Sequence, residues 1–205
     1  MLFVNEKKIG IEPGDNLALS RDNSKGDNVL LVDEFETPVG TLVLAARNGR
    51  LCALEFKDAD QVSLSRLKTQ FTLCSTHDPF GFSTAIKKYF DGDATAMDSI
   101  PVEPAGTMFQ RQVWLALRDI PLGTTLSYGQ LAARVGSPKA CRAVGITNGR
   151  NPIVIVLPCH RVIGSNGTLT GYGGGLARKE WLLRHEEALR ARLFSARRAL
   201  HEPHP

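Results

Sequence analysis

An uninterrupted apolar run from Ile153 to Leu157 delivers the chain into Pro158-Cys159-His160-Arg161. Such a run reads as a buried strand that sets a thiol at the end of a rigid element. At neutral pH only a few per cent of a free thiol is thiolate, so a nucleophilic cysteine needs a base or a positive environment beside it. His160 and Arg161 are of the right types to supply both. Successive side chains of an extended chain point to opposite faces, so His160 can serve Cys159 only where the backbone turns, as Pro158 favours, or through a bridging water. A third group would be needed to orient the histidine. In the last helical stretch Lys179, Leu182, Leu183 and Glu186 fall at i, i+3, i+4 and i+7, which places two charges on an apolar face where they require partners. Glu186 to His160 is the contact this spacing proposes; both charges could instead sit at the edge of the stripe and reach solvent.

Between the cysteine and that helix, Gly164 to Gly175 holds six glycines in twelve residues. Bare backbone there would let a planar ligand lie close and be read by N–H and C=O groups, while composition alone also fits a flexible surface loop. A phosphate loop is not indicated, because no Gly-Lys-Ser/Thr follows.

The elements that must position these groups are legible by their caps. Thr107 and Gln110 form a capping box opening a helix with Phe109, Val113, Leu117 and Ile120 on one face, and Ser127 with Gln130 repeats the box, with Leu126 and Leu131 as hydrophobic staple. Gly136 stops that second helix, and Ser137-Pro138 is expected to be N-cap and first residue of a third, KACRAVGITNG. Two short helices joined by a tight turn, the second one basic, match a helix-turn-helix. The second is unusual for a major-groove reader: beyond Lys139 and Arg142 its side chains are small or apolar, Ala143 among them, with no early Asn or Gln for base edges. Close approach to a backbone or minor groove suits it better, with Arg142 long enough to enter a duplex. The first half reads differently. VLLVDEF, TLVLAA and LCALEF, separated by Thr37-Pro38-Val39-Gly40 and Asn48-Gly49, predict a three-stranded antiparallel meander, followed by helices around 60–71 and 82–90. The division expected is an arm at 1–27, an α/β domain at 28–92, a linker at 93–106, a mainly helical domain at 107–190 and a basic tail at 191–205.

Two hundred and five residues with 42% hydrophobic and 22% charged side chains fit a folded protein of one or two domains and exclude a disordered, collagen-like or coiled-coil chain. Four scattered cysteines without a C-x-x-C pair propose neither a disulfide scaffold nor a zinc site, so a reducing, cytoplasmic setting is expected. Neither a signal peptide nor a membrane span is expected. Net charge is −4 over residues 1–100 and +8 over 101–205, and no acidic side chain lies between Asp119 and Glu180. A polyanion is the natural partner of such a surface, although a basic face can also serve solubility alone.

The segment from Phe109 to Glu186, with SYGQLA, NGRNP, VLPCHRVIG, GYGGGL and KEWLLRHE, closely resembles the methylated-DNA protein-cysteine methyltransferases, which repair guanine alkylated at O6. The first half resembles that family's ribonuclease-H-like domain only loosely. The resemblance implies a winged-helix-like second domain and a single-turnover transfer in which Cys159 keeps the alkyl group as a thioether. It implies His160 as base through a water, Glu186 as its orienter, Asn151 as the hinge tying the helix pair to the active segment, and Tyr128 beside the flipped nucleotide. Arg142 would fill the gap in the base stack, with Lys139 and Ala143 on the same DNA-facing helix. Val162, Tyr172 and Gly173 would line the guanine pocket, and Lys179 would brace it. The implied partner is double-stranded DNA carrying an alkylated guanine, approached from the minor groove by a monomer, with no cofactor or metal. Cys141 stands where alanine is usual in the family. The competing readings are a lesion-binding relative without transfer, which would lack the acceptor cysteine, a promoter-binding regulator, and a cysteine hydrolase turning over many times.

Overall fold

The computed structural model describes residues 28–199, with side chains to 194; the proposed 1–27 arm and the end of the basic tail lie outside the described residues. Strands β1 (Val29–Phe35), β2 (Leu42–Arg47) and β3 (Arg50–Phe56) form the expected antiparallel meander. The sheet has four strands rather than the three expected. After α1 (Val62–Lys68), β4 (Thr72–Ser75) returns parallel to β1, giving the order β3-β2-β1-β4. This strand escapes sequence reading because TLCS is short, polar in part and exposed along its length, an edge strand that feeds neither core.

The central strand β2 is buried on both faces, and its alternation feeds two cores. Leu42, Leu44 and Ala46 join a large cluster that continues through Trp114, Leu131 and Leu157 into the second half, whereas Val43 and Ala45 pack with Leu64 and Leu67 of α1 in a smaller one. Helix α1 is shorter than the 60–71 expected, and its cap is tertiary: Glu55 of β3 accepts hydrogen bonds from the backbone N–H groups of Ser63 and Leu64. Helix α2 (Phe82–Phe90) falls where the periodicity places it.

The connecting stretch lies along the sheet. Leu51 N donates to Pro101 O at 2.8 Å, Glu103 N donates to Leu51 O at 2.8 Å, and Arg118 holds the carbonyls of Met97, Asp98 and Ile100. It leads into α3 (Met108–Leu117) and, after a turn, β5 (Leu126–Ser127) and α4 (Tyr128–Arg134); both helices open with the reciprocal capping boxes that the sequence proposes. Helix α5 (Cys141–Gly149) begins later than expected. Ser137-Pro138 is a turn in which Ala140 N donates to Ser137 O, and no side chain caps the helix. Trp114 Nε1 donates to Thr147 O at 2.8 Å and fastens α5 to α3. The chain closes with β6 (Val162–Ile163), parallel to β5, and α6 (Leu176–Ala199), a 24-residue helix within which the basic stretch from 191 begins. Among the described residues no helix is long and apolar enough to cross a membrane.

Candidate active site

The largest departure from the sequence reading is at Ile153–Leu157. These residues are buried as expected, but they form a compacted loop and not a strand. Ile153 makes one bridge to Leu54, after which Val156 N donates to Val154 O and Leu157 N donates to Ile153 O. The first of these bonds closes a γ-turn on Ile155, whose φ of 71° is a rare conformation for a β-branched side chain. Pro158 (φ −79°, ψ 66°) makes a second, inverse γ-turn through Cys159 N to Leu157 O at 2.7 Å. Asn151 ties the coil across its mouth: its Nδ2 donates to Leu157 O at 2.6 Å and its Oδ1 accepts from Ile153 N at 3.1 Å. A buried loop must satisfy its own backbone, and here one side-chain amide and two tight turns do so.

The coil delivers Cys159-His160-Arg161 as one 3₁₀ turn, so the backbone does bend between thiol and imidazole. Cys159 is 3% exposed and His160 fully buried. Burial pushes the thiol up to about 11, against the smaller opposing effects of the Asn151 side chain and the Lys179 charge. The expectation that Arg161 makes the thiol's surroundings positive is thereby corrected. The guanidinium turns instead to Glu186, giving Nε to Oε2 and Nη2 to Oε1 at 2.8 Å each, and also donates to Ile120 O. His160 Nε2 donates to Glu186 Oε1 at 2.9 Å, the contact that the spacing on the last helix proposes, and its Nδ1 is buried with no protein partner.

Glu186 is the hub of this network. Its carboxylate is fully buried and accepts from His160, Arg161, the Tyr89 hydroxyl at 3.0 Å and, at 3.4 Å, Gly123 N. Burial alone would raise its pKa, but the charges and hydrogen bonds of His160 and Arg161 overcome that and hold it well below the usual carboxylate range. Lys179 is also fully buried; its ammonium donates to Val162 O at 2.6 Å and Thr170 O at 2.7 Å, joining the β6 segment to the glycine loop.

Tyr172, from that loop, turns its ring edge toward Phe56 and its hydroxyl into the protein, where it has no hydrogen-bond partner. Burial raises its phenol well above the ordinary value, and a thiolate at Cys159 would act in the same direction. The loop lies close against the sheet: a Cβ at Gly174 would come within 2.3 Å of the Phe56 ring. Arg178 fixes this arrangement, with its guanidinium over Phe56 and hydrogen bonds to Val39 O, Gly174 O and Asp58.

Thus Cys159, His160, Asn151, Glu186, Lys179 and Val162, all buried, are brought into one assembly with Tyr172, whose hydroxyl is buried and whose ring is partly exposed. Gly173 is exposed and lines, with Asn151, a cleft of about 610 Å³ between the sheet and the helical half. Tyr128 reaches the glycine loop, its hydroxyl accepting from Thr170 Oγ1 at 3.3 Å. Lys139, Arg142 and Ala143 are not part of the assembly; they are exposed at the start of α5 and in the turn before it. Sequence reasoning missed Tyr89, which the apolar face of α2 hides, and Asn148, whose Nδ2 donates to Cys159 O at 3.4 Å.

Fold and site together define a protein that encloses a buried thiol next to a histidine–glutamate pair and carries a pair of short helices, α4 and α5. The family model for the 6-O-methylguanine DNA methyltransferase DNA binding domain matches residues 108–188. A methylated-DNA–protein-cysteine methyltransferase of Shigella flexneri is 47% identical over 163 residues, covering 77% of this chain and 95% of its own. One from Mycolicibacterium paratuberculosis is 46% identical over 151 residues, covering 72% and 87%. The crystal structure of Mycobacterium tuberculosis OGT in complex with DNA superposes with a TM-score of 0.69 at 38% identity, covering 78% of this chain and 94% of that one. The chain belongs to the methylated-DNA–protein-cysteine methyltransferase family and is an enzyme.

Proposed function

We propose that this protein repairs DNA by direct reversal, flipping an O6-alkylated guanine out of the duplex and moving its alkyl group irreversibly onto Cys159. The observation that carries this reading is the thiol itself: Cys159 is retained, buried, and backed by the His160–Glu186 pair. A thiol held protonated by burial needs a base at the moment of reaction, and the unpartnered Nδ1 of His160 offers one through a water. The thiol proton passes to His160, the sulfur–carbon bond forms as the carbon–O6 bond breaks, and the guanine keeps that electron pair and takes up a proton. A thioether is not hydrolysed, so each molecule acts once.

Glu186 holds the imidazole, Asn151 and Lys179 shape the segment around the thiol, and the buried hydroxyl of Tyr172 offers a polar contact to an inserted base. Backbone groups at Val162 and Gly173 would read the guanine edge. Helices α4 and α5 act as a helix-turn-helix in a winged-helix-like domain, with Tyr128 beside the flipped nucleotide. Arg142 fills the stack, and Lys139 and Ala143 lie at the minor groove; their exposure and the small side chains of α5 suit that approach. The α/β unit at 28–92 is the ribonuclease-H-like domain, 93–106 the connection and 107–190 the transfer domain. The protein works as a monomer without metal or cofactor in a reducing, cytoplasmic compartment, which agrees with four free cysteines.

The test is intact-protein mass spectrometry and peptide mapping after incubation with a duplex holding one O6-methylguanine. A single methyl gain on Cys159, absent from Cys159→Ser although that variant still binds the lesion, is expected. Lesion binding without any gain would assign the protein to the non-transferring class.

A further inference from the structure

Glu186 receives one hydrogen bond that comes from the first half of the chain. The Tyr89 hydroxyl, at the end of α2, donates to Oε1 at 3.0 Å, the same oxygen that accepts from His160 Nε2 and Arg161 Nη2. Tyr89 is fully buried, and burial beside the carboxylate raises its phenol far above the ordinary value, so it serves only as a donor. Its ring is held edge-on by His185 at 5.1 Å and by Phe90 at 5.2 Å, His185 Nε2 donates to Tyr89 O at 3.1 Å, and Trp181 stacks on His185 at 4.9 Å. The aromatic cluster packs α2 against α6 and fixes where the hydroxyl lies. Fold packing could be achieved by phenylalanine at this position, and only the hydroxyl distinguishes tyrosine.

We infer that Tyr89 is a positioning residue for alkyl transfer: by donating to Glu186 it limits how strongly that carboxylate holds the proton of His160, and so couples the packing of the sheet half to the reactivity of the thiol. The inference rests on the functional reading above. Three donors share Oε1; removing one concentrates the charge on the other two, and a carboxylate that binds imidazolium more tightly leaves less neutral imidazole to accept the thiol proton. The groups facing the His160–Glu186 pair are Arg161 from the same 3₁₀ turn, Tyr89 from α2 and Tyr172 from the glycine loop, while Lys179 from α6 acts on the Cys159 thiol.

The experiment is the second-order rate of methyl transfer against pH for the full-length protein, Tyr89→Phe, and protein carrying a fluorinated, more acidic tyrosine at position 89. Tyr89→Phe is expected to react about 3-fold more slowly on the acid side of the profile and nearly as fast as the parent protein above it, the pattern of a small shift in the base rather than of a lost catalytic group. Its acid limb should move up by roughly half a unit, with lesion affinity unchanged. The fluorinated tyrosine, a stronger donor, should move that limb the other way and keeps the ring's packing, so it decides the matter even where Tyr89→Phe folds poorly. Unmoved limbs in both variants, with normal transfer by the parent protein, overturn the role of Tyr89 alone. No transfer by the parent protein overturns the functional reading as well.

Discussion

In the sheet half, apart from the Tyr89 hydroxyl that reaches across to Glu186, Asp33 and Ser83 are the buried polar side chains among the described residues, and they bond to each other at 2.6 Å. In the helical half Thr147, Asn148, Asn151, His160, Arg161, Lys179 and Glu186 are all buried. The same large apolar cluster runs through both, so the contrast is not one of packing. It lies in what the core encloses: satisfied strands on one side, and on the other a charge network that includes unpaired atoms on Asn148, His160 and Tyr172. Orphaned buried polar atoms cost free energy and persist where a reaction uses them. The sheet half supplies a wall, a cap on the charge network and the rigidity that strained Ile155 requires.

The contrast predicts a graded series of losses. Glu186→Gln removes the countercharge of buried Arg161 and should cost about 3–5 kcal/mol in denaturant unfolding. It should also change the acid limb of stability. The Glu186 pKa lies below its unfolded value, so its contribution is complete above the ordinary carboxylate range and is lost as pH falls through the folded value. The steepening of melting temperature below about pH 4 should therefore be weaker in Glu186→Gln than in the parent protein. A loss of the same size and slope in both would place the network's stability elsewhere.

Leu44→Ala, in the buried centre of β2, should cost about 3 kcal/mol with no altered slope against pH, because it deletes only apolar volume. A pH-dependent loss there would break the distinction between the halves. Arg142→Ala should leave stability unchanged and slow repair of duplex by roughly ten- to a hundred-fold, while transfer from the free alkylated base is nearly unaffected, since only a duplex has a gap to fill. Equal losses on the two substrates would remove the stack-filling role. Smallest is Ser127→Ala, where the lost capping box of α4 should cost about 1 kcal/mol in thermal unfolding without changing the rate on free base. A rate change on free base would show that α4 sets the geometry of the thiol pocket as well.

Much of this was readable in the chain because it depends on neighbours in sequence. The meander follows from alternation and turn residues, α3 and α4 from their capping boxes, and the Glu186–His160 contact from charges at helical spacing on an apolar stripe. These signals are local, although the contact that one of them pointed to joins residues 26 apart in the chain. The fourth strand and the coil at 153–157 were not readable, because each depends on a partner far along the chain, and the cap of α1 was not, because Glu55 supplies it from the neighbouring strand β3 and not from the helix's own first turn. An apolar run of five records burial and not backbone path; the path was decided by β3 taking one residue into a bridge and by Asn151 gathering the rest. Sequence likewise supplied a thiol, an imidazole and two cations, but not which of them would face each other. Tertiary structure turned Arg161 onto Glu186, left Cys159 protonated by burial, and brought Tyr89 from 97 residues away to the same carboxylate. Residue types and spacing thus determined which chemistry was available, while desolvation and long-range packing, which exist only once the chain is closed on itself, decided each group's protonation and partner.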